Sequence, residues 1–414
     1  MVGQLKHILS SRQFDIGFFD TIFRDTEIIE RMSKTFDGRR LLREVAPGSR
    51  MGTFFWQLSS RTKQTSHAGI EIIGGTGVDE HGEKVIRADG TEDYELAFTS
   101  AMKGAYLEDE FLAFAFCRDL LVLRTHRPFM PHEAASVIDD YANEFDMPVH
   151  VINAGDATNE HPTQTLNDVY TIFRALNFTI REDFSKLKNY SIAFINDCRN
   201  SRTIHSLALK AGIDLGMTLQ FIAPPGLEMP RDFLDELERA GVKFSLHTEF
   251  QRADFYYVTR LQKEYGLQLE HQEKFDEYIN YYRITQQVAE KHEVSFVMHP
   301  FPRSKEYNEL PRRKPDDSST WDISLDKTPK ALYFKQMKYS APIKAALFKY
   351  LLNPEVELNK LDALHIERSF NTQCLRCLKI WSPILKWSRE PYPKRIETYS
   401  RVPFCEDCEK EIGK

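Results

Sequence analysis

The sequence predicts an α/β fold of two doubly wound parallel sheets with a small metal-binding domain at the C-terminus, on three observations. Short apolar runs alternate with segments of helical period along most of the chain, which is the arithmetic of βαβ units. Polar side chains suited to ligands stand just after those runs, where open α/β sheets bind. Four of the six cysteines, Cys374, Cys377, Cys405 and Cys408, crowd into the tail in two pairs. A chain of 414 residues exceeds one compact core. Its divisions are expected at 1–160, 161–339 and 360–414, with a helix at about 340–356 returning to the first domain.

In the first half, the runs 53–58, 120–123 and 149–152 read as buried strands, separated by helices that include the pattern 131–145. In the second half, 190–195, 218–223, 242–246, 255–259 and 294–298 read the same way. Between them, 231–240 places Phe233, Leu234 and Leu237 on one helical face, and Gly241 marks its stop. Two segments look grafted onto this frame. Residues 74–97 carry turn signals at Gly82 and Asp89-Gly90 and read as hairpin-like excursions, and 303–323 includes a Pro-, Lys- and Ser-rich surface loop at 311–320. The cluster Gly74-Gly75-Thr76-Gly77 follows a helix and lacks a Lys-Ser/Thr ending, so it does not read as a nucleotide loop.

Composition excludes several classes. Hydrophobic residues make up 42% and charged residues 28%, as in a soluble globular protein, and a net charge of −6 argues against a generally basic, nucleic-acid-coating chain. No run of about 18 apolar residues occurs, and Lys6 and His7 precede no apolar leader, so a cytoplasmic protein without membrane contact is expected. Cys117 and Cys198 stand alone and read as inert thiols.

Ser59, Arg124, His161, Arg202, Arg260 and Pro300 each stand at or shortly after the end of an apolar run, which favours one site shared by the two sheets. Ser59, Ser60, Arg61 and Thr62 open a helical segment, where free amides, hydroxyls and a guanidinium suit a phosphate dianion. No side chain there looks like a nucleophile. His161 and Gln164, three apart, are placed to hold a neutral polar group beside the phosphate, so the candidate substrate is a phosphorylated carbonyl compound.

The blocks Ser59-Ser60-Arg61-Thr62, Asn153-Ala154-Gly155-Asp156, His161-Pro162-Thr163-Gln164, Arg202-Thr203, Arg260-Leu261-Gln262 and His299-Pro300-Phe301-Pro302 resemble aspartate carbamoyltransferases in order and spacing, over about residues 4–355. The resemblance implies carbamoyl transfer from carbamoyl phosphate to L-aspartate, a step of pyrimidine biosynthesis, without an organic cofactor. It implies that Ser59, Ser60, Arg61 and Thr62 take the phosphate, that Thr62, Arg124 and His161 face the carbonyl oxygen, and that Gln164 holds the carbamoyl NH2. Arg202 then meets the α-carboxylate of aspartate and Arg260 with Gln262 its side-chain carboxylate, while Pro300 and Phe301 offer backbone carbonyls to the amine. Ser100 and Lys103 match a loop that family members insert into the neighbouring subunit's site, which implies a homotrimer with shared active sites. Two alternatives stay open: a transcarbamylase for another amino acid, such as ornithine, and a catalytically silent scaffold.

Departures from the family pattern are Lys63 for arginine, Ser60 for threonine, Phe301 for leucine, and Gln57 with Tyr265 where an interdomain ion pair is usual. The last two put the cooperative closing switch in question. In the tail, Cys374-x2-Cys377, twenty-seven residues and Cys405-x2-Cys408 have the spacing of a structural Zn2+ site. The pattern is similar to the zinc domain by which separate regulatory chains of some aspartate carbamoyltransferases grip catalytic chains, so higher assembly is an expectation. The nucleotide domain of those chains is missing, and nucleotide control through it is not implied. Basic residues such as Lys379, Lys386 and Arg401 interleave with Trp381, Trp387 and Tyr399, a pattern that fits docking on a neighbouring subunit better than nucleic acid.

Overall fold

The computed structural model describes residues 4–86, 92–96, 104–262, 275–304, 309–312 and 323–370, with four short strands between 372 and 402. Helix α1 (Ile16–Met32) starts where the Asp15 side chain accepts from the Phe18 amide at 2.7 Å, and it buries Phe18, Phe19, Ile22, Phe23 and Ile29. After α2 (Phe36–Leu42) come β1 (Arg50–Phe55), α3 (Ser60–Ile72), β2 (Thr76–Ile86), β3 (Glu92–Leu96), α4 (Leu107–Ala115), β4 (Leu120–Thr125), α5 (Met130–Phe145) and β5 (His150–Asp156). Their order in the sheet is β3-β2-β1-β4-β5, parallel except for the β2–β3 hairpin.

The second domain holds β6 (Ser191–Ile195), β7 (Thr218–Ile222), β8 (Phe244–His247), β9 (Phe255–Val258) and β10 (Phe296–Met298), in the order β10-β9-β6-β7-β8 and wholly parallel. In chain order, α6 (Pro162–Leu176) and α7 (Ile180–Asp183) precede β6, α8 (Arg202–Leu209) follows it, α9 (Arg231–Arg239) lies between β7 and β8, and α10 (Phe275–Tyr281) and α11 (Gln286–Lys291) lead to β10. Helix α12 (Tyr333–Leu352) then returns to pack on α1, α3 and α6. One hydrophobic core runs through both domains, from Phe19 and Phe23 through Tyr170 and Phe173 to Ile192 and Leu207. Among the described residues no helix is long and apolar enough to cross a membrane.

Both sheets reverse their winding direction once. In the first the reversal lies between β1 and β4, in the second between β6 and β9, and crevices at such points are where α/β sheets bind ligands. The two halves are pinned together by Arg12, which donates to Glu236 of α9 at 2.9 Å, and by the buried Lys210, which donates to the Phe14 carbonyl at 2.8 Å.

Two expectations are corrected. Residues 74–97 are not only an excursion: Thr76 to His81 pair in parallel with β1, and the hairpin begins after that. The strand was hidden because the part that pairs with β1, TGVDEH, holds a single apolar side chain, Val78. The tail does not start at 360 either, since α13 (Leu358–Phe370) straddles that point and docks on the first domain through Arg31–Asp362 and a 2.7 Å Thr35–His365 hydrogen bond. Its buried face is Leu358, Asp362 and His365, too polar to give a helical apolar period. Beyond it lie β11 (Thr372–Cys374), β12 (Ile380–Ser382), β13 (Lys386–Ser388) and β14 (Ser400–Val402), ordered β13-β12-β11-β14.

Candidate active site

The anion turn forms because β1 stops at Phe55 and the chain enters α3 with Ser59 as N-cap in an extended conformation. The first amides of α3 have no intrahelical partners, so they are donors for a ligand. Ser59 does not cap them, and its hydroxyl donates instead to Thr62 Oγ1 at 3.0 Å. Thr62 is buried and Ser60 exposed. Arg61 turns inward and donates through Nη2 to Gln164 Oε1, while its buried Nη1 has no hydrogen-bond partner. Burial holds its guanidinium below the ordinary arginine pKa, against the attraction of Asp168. Lys63, by contrast, pairs with Asp79 of β2 at 2.7 Å and belongs to the sheet edge.

His161 is the N-cap of α6 and 4% exposed. Its amide donates to Ser206 Oγ of α8 at 3.3 Å, and Nδ1 lies 3.3 Å from the Thr163 hydroxyl. Burial first, then Arg124, Arg202, Arg61 and Lys344, drive its pKa well below the usual value. The imidazole is therefore neutral near pH 7, fit to donate one hydrogen bond to a carbonyl oxygen and not to protonate it. Arg124 lies in β4 opposite Phe55 and donates to the Ala154 carbonyl at 3.2 Å. Arg202 opens α8. These two arginines converge on Gly155, whose φ is +112°: a methyl group there would stand 3.1 Å from both Arg124 Nη1 and Arg202 Nε. Only a glycine fits.

Gln164 is engaged at both ends, accepting from Arg61 and donating to Asp168. Asp168 also accepts from the Tyr257 hydroxyl of β9 at 2.8 Å and from Gln336 of α12. Three donors favour its carboxylate and burial opposes it; burial wins, and its pKa is pushed up to about 7. The raised value means that the folded state holds this proton from about pH 4 to pH 7 while the unfolded chain has lost it, so Asp168 makes the fold less stable as pH rises through that window. Above about 7 the carboxylate orients Gln164. Transfer activity is expected to rise with a midpoint near pH 7, and Asp168→Asn to flatten that limb. An unchanged midpoint in the variant would assign it to another group.

On the second sheet, Arg260 follows β9 and donates to the Leu261 carbonyl at 3.2 Å. The fully buried Asp197, just after β6, accepts from the Gln262 amide at 3.1 Å and from the Asn200 amide at 2.9 Å, which stitches the loop leading to Arg202 to the loop carrying Arg260. Pro300 and Phe301 follow β10. The turn is held by His299, which accepts the Phe301 amide on Nδ1 at 2.9 Å and so donates from Nε2 to Glu309 at 2.9 Å. The Phe301 ring packs on Phe334 and under the Arg303 guanidinium.

Of the predicted residues, Ser59, Arg124, Arg202 and Arg260 stand at the two winding reversals, while His161 and Gln164 follow β5 and Pro300 and Phe301 follow β10, the edge strands beside them. Arg61, Thr62, His161 and Gln164 line one small cavity together with Lys344 of α12, while Arg260 and Gln262 follow β9 and Pro300 and Phe301 follow β10 of the second sheet, outside that lining. Gln57 is half-buried just before the anion turn. Ser100, Lys103 and Tyr265 lie outside the described residues, as do Cys377, Cys405 and Cys408, whereas Cys374 ends β11. A larger cavity of about 370 Å³ beside Phe221, Met229 and Leu246 contains none of the predicted residues. Asp168, Lys344 and Asp197 are absent from the sequence-based set. Asp168 was accessible through its i+4 spacing from Gln164, and Lys344 as a lone cation in the apolar stretch of α12.

Comparison with known proteins agrees with the two-domain fold. Residues 6–174 match the aspartate/ornithine carbamoyltransferase carbamoyl-P binding domain, and 188–351 the Asp/Orn binding domain of the same family. The aspartate carbamoyltransferase catalytic subunit of Methanococcus aeolicus is 30% identical over 355 residues, covering 84% of this chain and 96% of that one. Aspartate carbamoyltransferase 3, chloroplastic, of Pisum sativum is 29% identical, covering 84% of this chain and 78% of its own. The catalytic subunit of M. jannaschii aspartate transcarbamoylase superposes with a TM-score of 0.63 at 26% identity, over 85% of this chain and 99% of that one. The Trypanosoma cruzi enzyme in complex with N-(phosphonacetyl)-L-aspartic acid gives 0.65 at 26% identity, over 84% and 95%. With both domains matched, the chain belongs to the aspartate/ornithine carbamoyltransferase family.

Proposed function

We propose that this carbamoyltransferase moves the carbamoyl group of carbamoyl phosphate to L-aspartate, giving N-carbamoyl-L-aspartate and phosphate. The observation that carries the reading is the cavity shared by Arg61, Thr62, His161 and Gln164, flanked by the arginine pair at Gly155. The Trypanosoma cruzi relative is described in complex with carbamoyl phosphate and aspartate. Carbamoyl phosphate is already activated, so positioning and charge stabilisation suffice. Ser59, Ser60, Arg61 and Thr62 hold the phosphate, with Ser100 and Lys103 reaching in from a neighbouring chain of a homotrimer. Thr62, Arg124 and neutral His161 donate to the carbonyl oxygen as the amine attacks and negative charge grows there. Gln164 holds the carbamoyl NH2 on the side away from Asp168. Arg202 takes the α-carboxylate, Arg260 and Gln262 the side-chain carboxylate, and the Pro300 and Phe301 carbonyls the attacking amine. The new C–N bond forms, the C–O bond to phosphate breaks, and the amine proton leaves with the phosphate.

Arg260 and the turn at Pro300 and Phe301 favour an anionic amino acid over ornithine, because a guanidinium attracts a side-chain carboxylate and repels an ammonium. Purified enzyme with millimolar substrates should release phosphate with aspartate and not with ornithine. The reverse preference, or no turnover by a folded trimer, would refute the reading.

We also assign Cys374, Cys377, Cys405 and Cys408 to one structural Zn2+ per chain. Strands of three residues each offer little core, so the ion would supply much of the folding energy of the tail. Four thiolates leave no open position, which gives the ion a role in assembly and none in transfer. Metal analysis should find one zinc per chain, and a Cys405→Ser, Cys408→Ser variant should lose it with the tail's order while keeping most of its activity. A native protein free of zinc would end this assignment.

A further inference from the structure

Lys344 projects from α12 into the cavity of Arg61 and His161, and it is 6% exposed. It arrives there because Gly69 lets α12 pack close on α3: a methyl group on Gly69 would stand 2.9 Å from Lys344 Cβ. Its Nζ donates to the Thr62 carbonyl at 2.9 Å and to the Thr65 hydroxyl, directly beneath the first turn of the anion site. Both acceptors are neutral, and an ammonium has a third donor.

The charges facing Lys344 are of one sign. From α3 comes Arg61 and from β4 Arg124, while His67 of α3 and the neutral imidazole of His161 at the start of α6 bring no negative charge. The carboxyls on neighbouring elements are engaged elsewhere: Asp168 of α6 with Tyr257, Gln336 and Gln164, Asp25 of α1 with Lys349, Glu30 of α1 with Tyr170, and Glu309 with His299. Among the described residues no carboxylate pairs with Lys344. A buried lysine so placed favours its uncharged form, and burial with Arg61 and Arg124 holds its pKa well below the usual value. A dianion bound at the same turn reverses that balance.

We propose that Lys344 is an additional phosphate-binding cation of this site, and that each phosphate group enters the cavity together with one proton taken from solvent. This rests on the phosphate site proposed above. The balance is simple: one dianion and one proton enter, and no bond other than N–H is made.

The test is calorimetric titration of the full-length protein with inorganic phosphate at pH 8, in Tris and in HEPES, whose different ionisation enthalpies reveal the protons absorbed. About one proton per phosphate is expected, with affinity falling up to tenfold for each unit of pH between 7 and 9. Lys344→Arg, charged at every such pH, should bind phosphate within a few-fold of the parent, absorb almost no proton and lose the pH dependence. Lys344→Met should bind at least tenfold more weakly; if it fails to fold, the parent and the arginine variant still decide. No proton uptake by the parent, or equal uptake by Lys344→Arg, overturns the proposal. Absence of any phosphate binding by folded parent protein would instead overturn the phosphate site itself.

Discussion

Arg61→Ala is expected to lower the rate of carbamoyl transfer about a hundredfold to a thousandfold, the usual cost of removing one preorganised donor from a dry site. The fold should survive. Truncation leaves Gln164 Oε1 without its partner, at a cost of about 1–3 kcal/mol, but it also removes a buried cation whose Nη1 is unsatisfied, and the two effects oppose each other. Urea titration should therefore place the variant within about 2 kcal/mol of the parent. The same variant tests the shared site. Mixed and reassembled with Lys103→Ala, itself nearly inactive, it should regain activity, because some sites then draw both intact residues from different chains. Failure to recover after verified exchange would put Lys103 outside its neighbour's site.

The frame was legible where burial on both faces makes a strand a continuous apolar run. Residues 190–195 became β6 and 218–223 became β7 nearly residue for residue, because parallel strands covered by helices show no alternation. Strand-end positions were legible for the same reason, since Ser59, Arg124, Arg202 and Arg260 stand at the ends of the strands that flank the winding reversals, and His161 follows β5. Peripheral elements gave no such signal: β2 has one apolar residue where it pairs with β1, and α13 buries an aspartate and a histidine. The groups behind the site were the least visible. Asp168 and Lys344 are single polar residues within helices, and what they do depends on Tyr257, Gln336 and Thr62, which are distant in sequence.

Arg260→Ala should cripple the use of aspartate while leaving the phosphate end intact. A substrate carboxylate left without its guanidinium costs on the order of 2–5 kcal/mol, or about thirtyfold to a few thousandfold in kcat/KM. The structural cost should be small by comparison, because the bond from Arg260 Nη1 to the Leu261 carbonyl joins adjacent residues. The loop is held independently by Asp197, through the Gln262 amide, and by Asn196, whose side chain donates to the Thr259 carbonyl at 2.7 Å. Removing the arginine therefore subtracts charge from the rim of the second domain and leaves its backbone in place. Arg260 is not among the residues that line the cavity of Arg61, Thr62 and His161, so phosphate affinity measured by calorimetry should stay within about twofold. Steady-state kinetics would show the loss almost wholly in the aspartate terms. Equal losses for aspartate and phosphate would mean that Arg260 props the cleft open and meets no substrate.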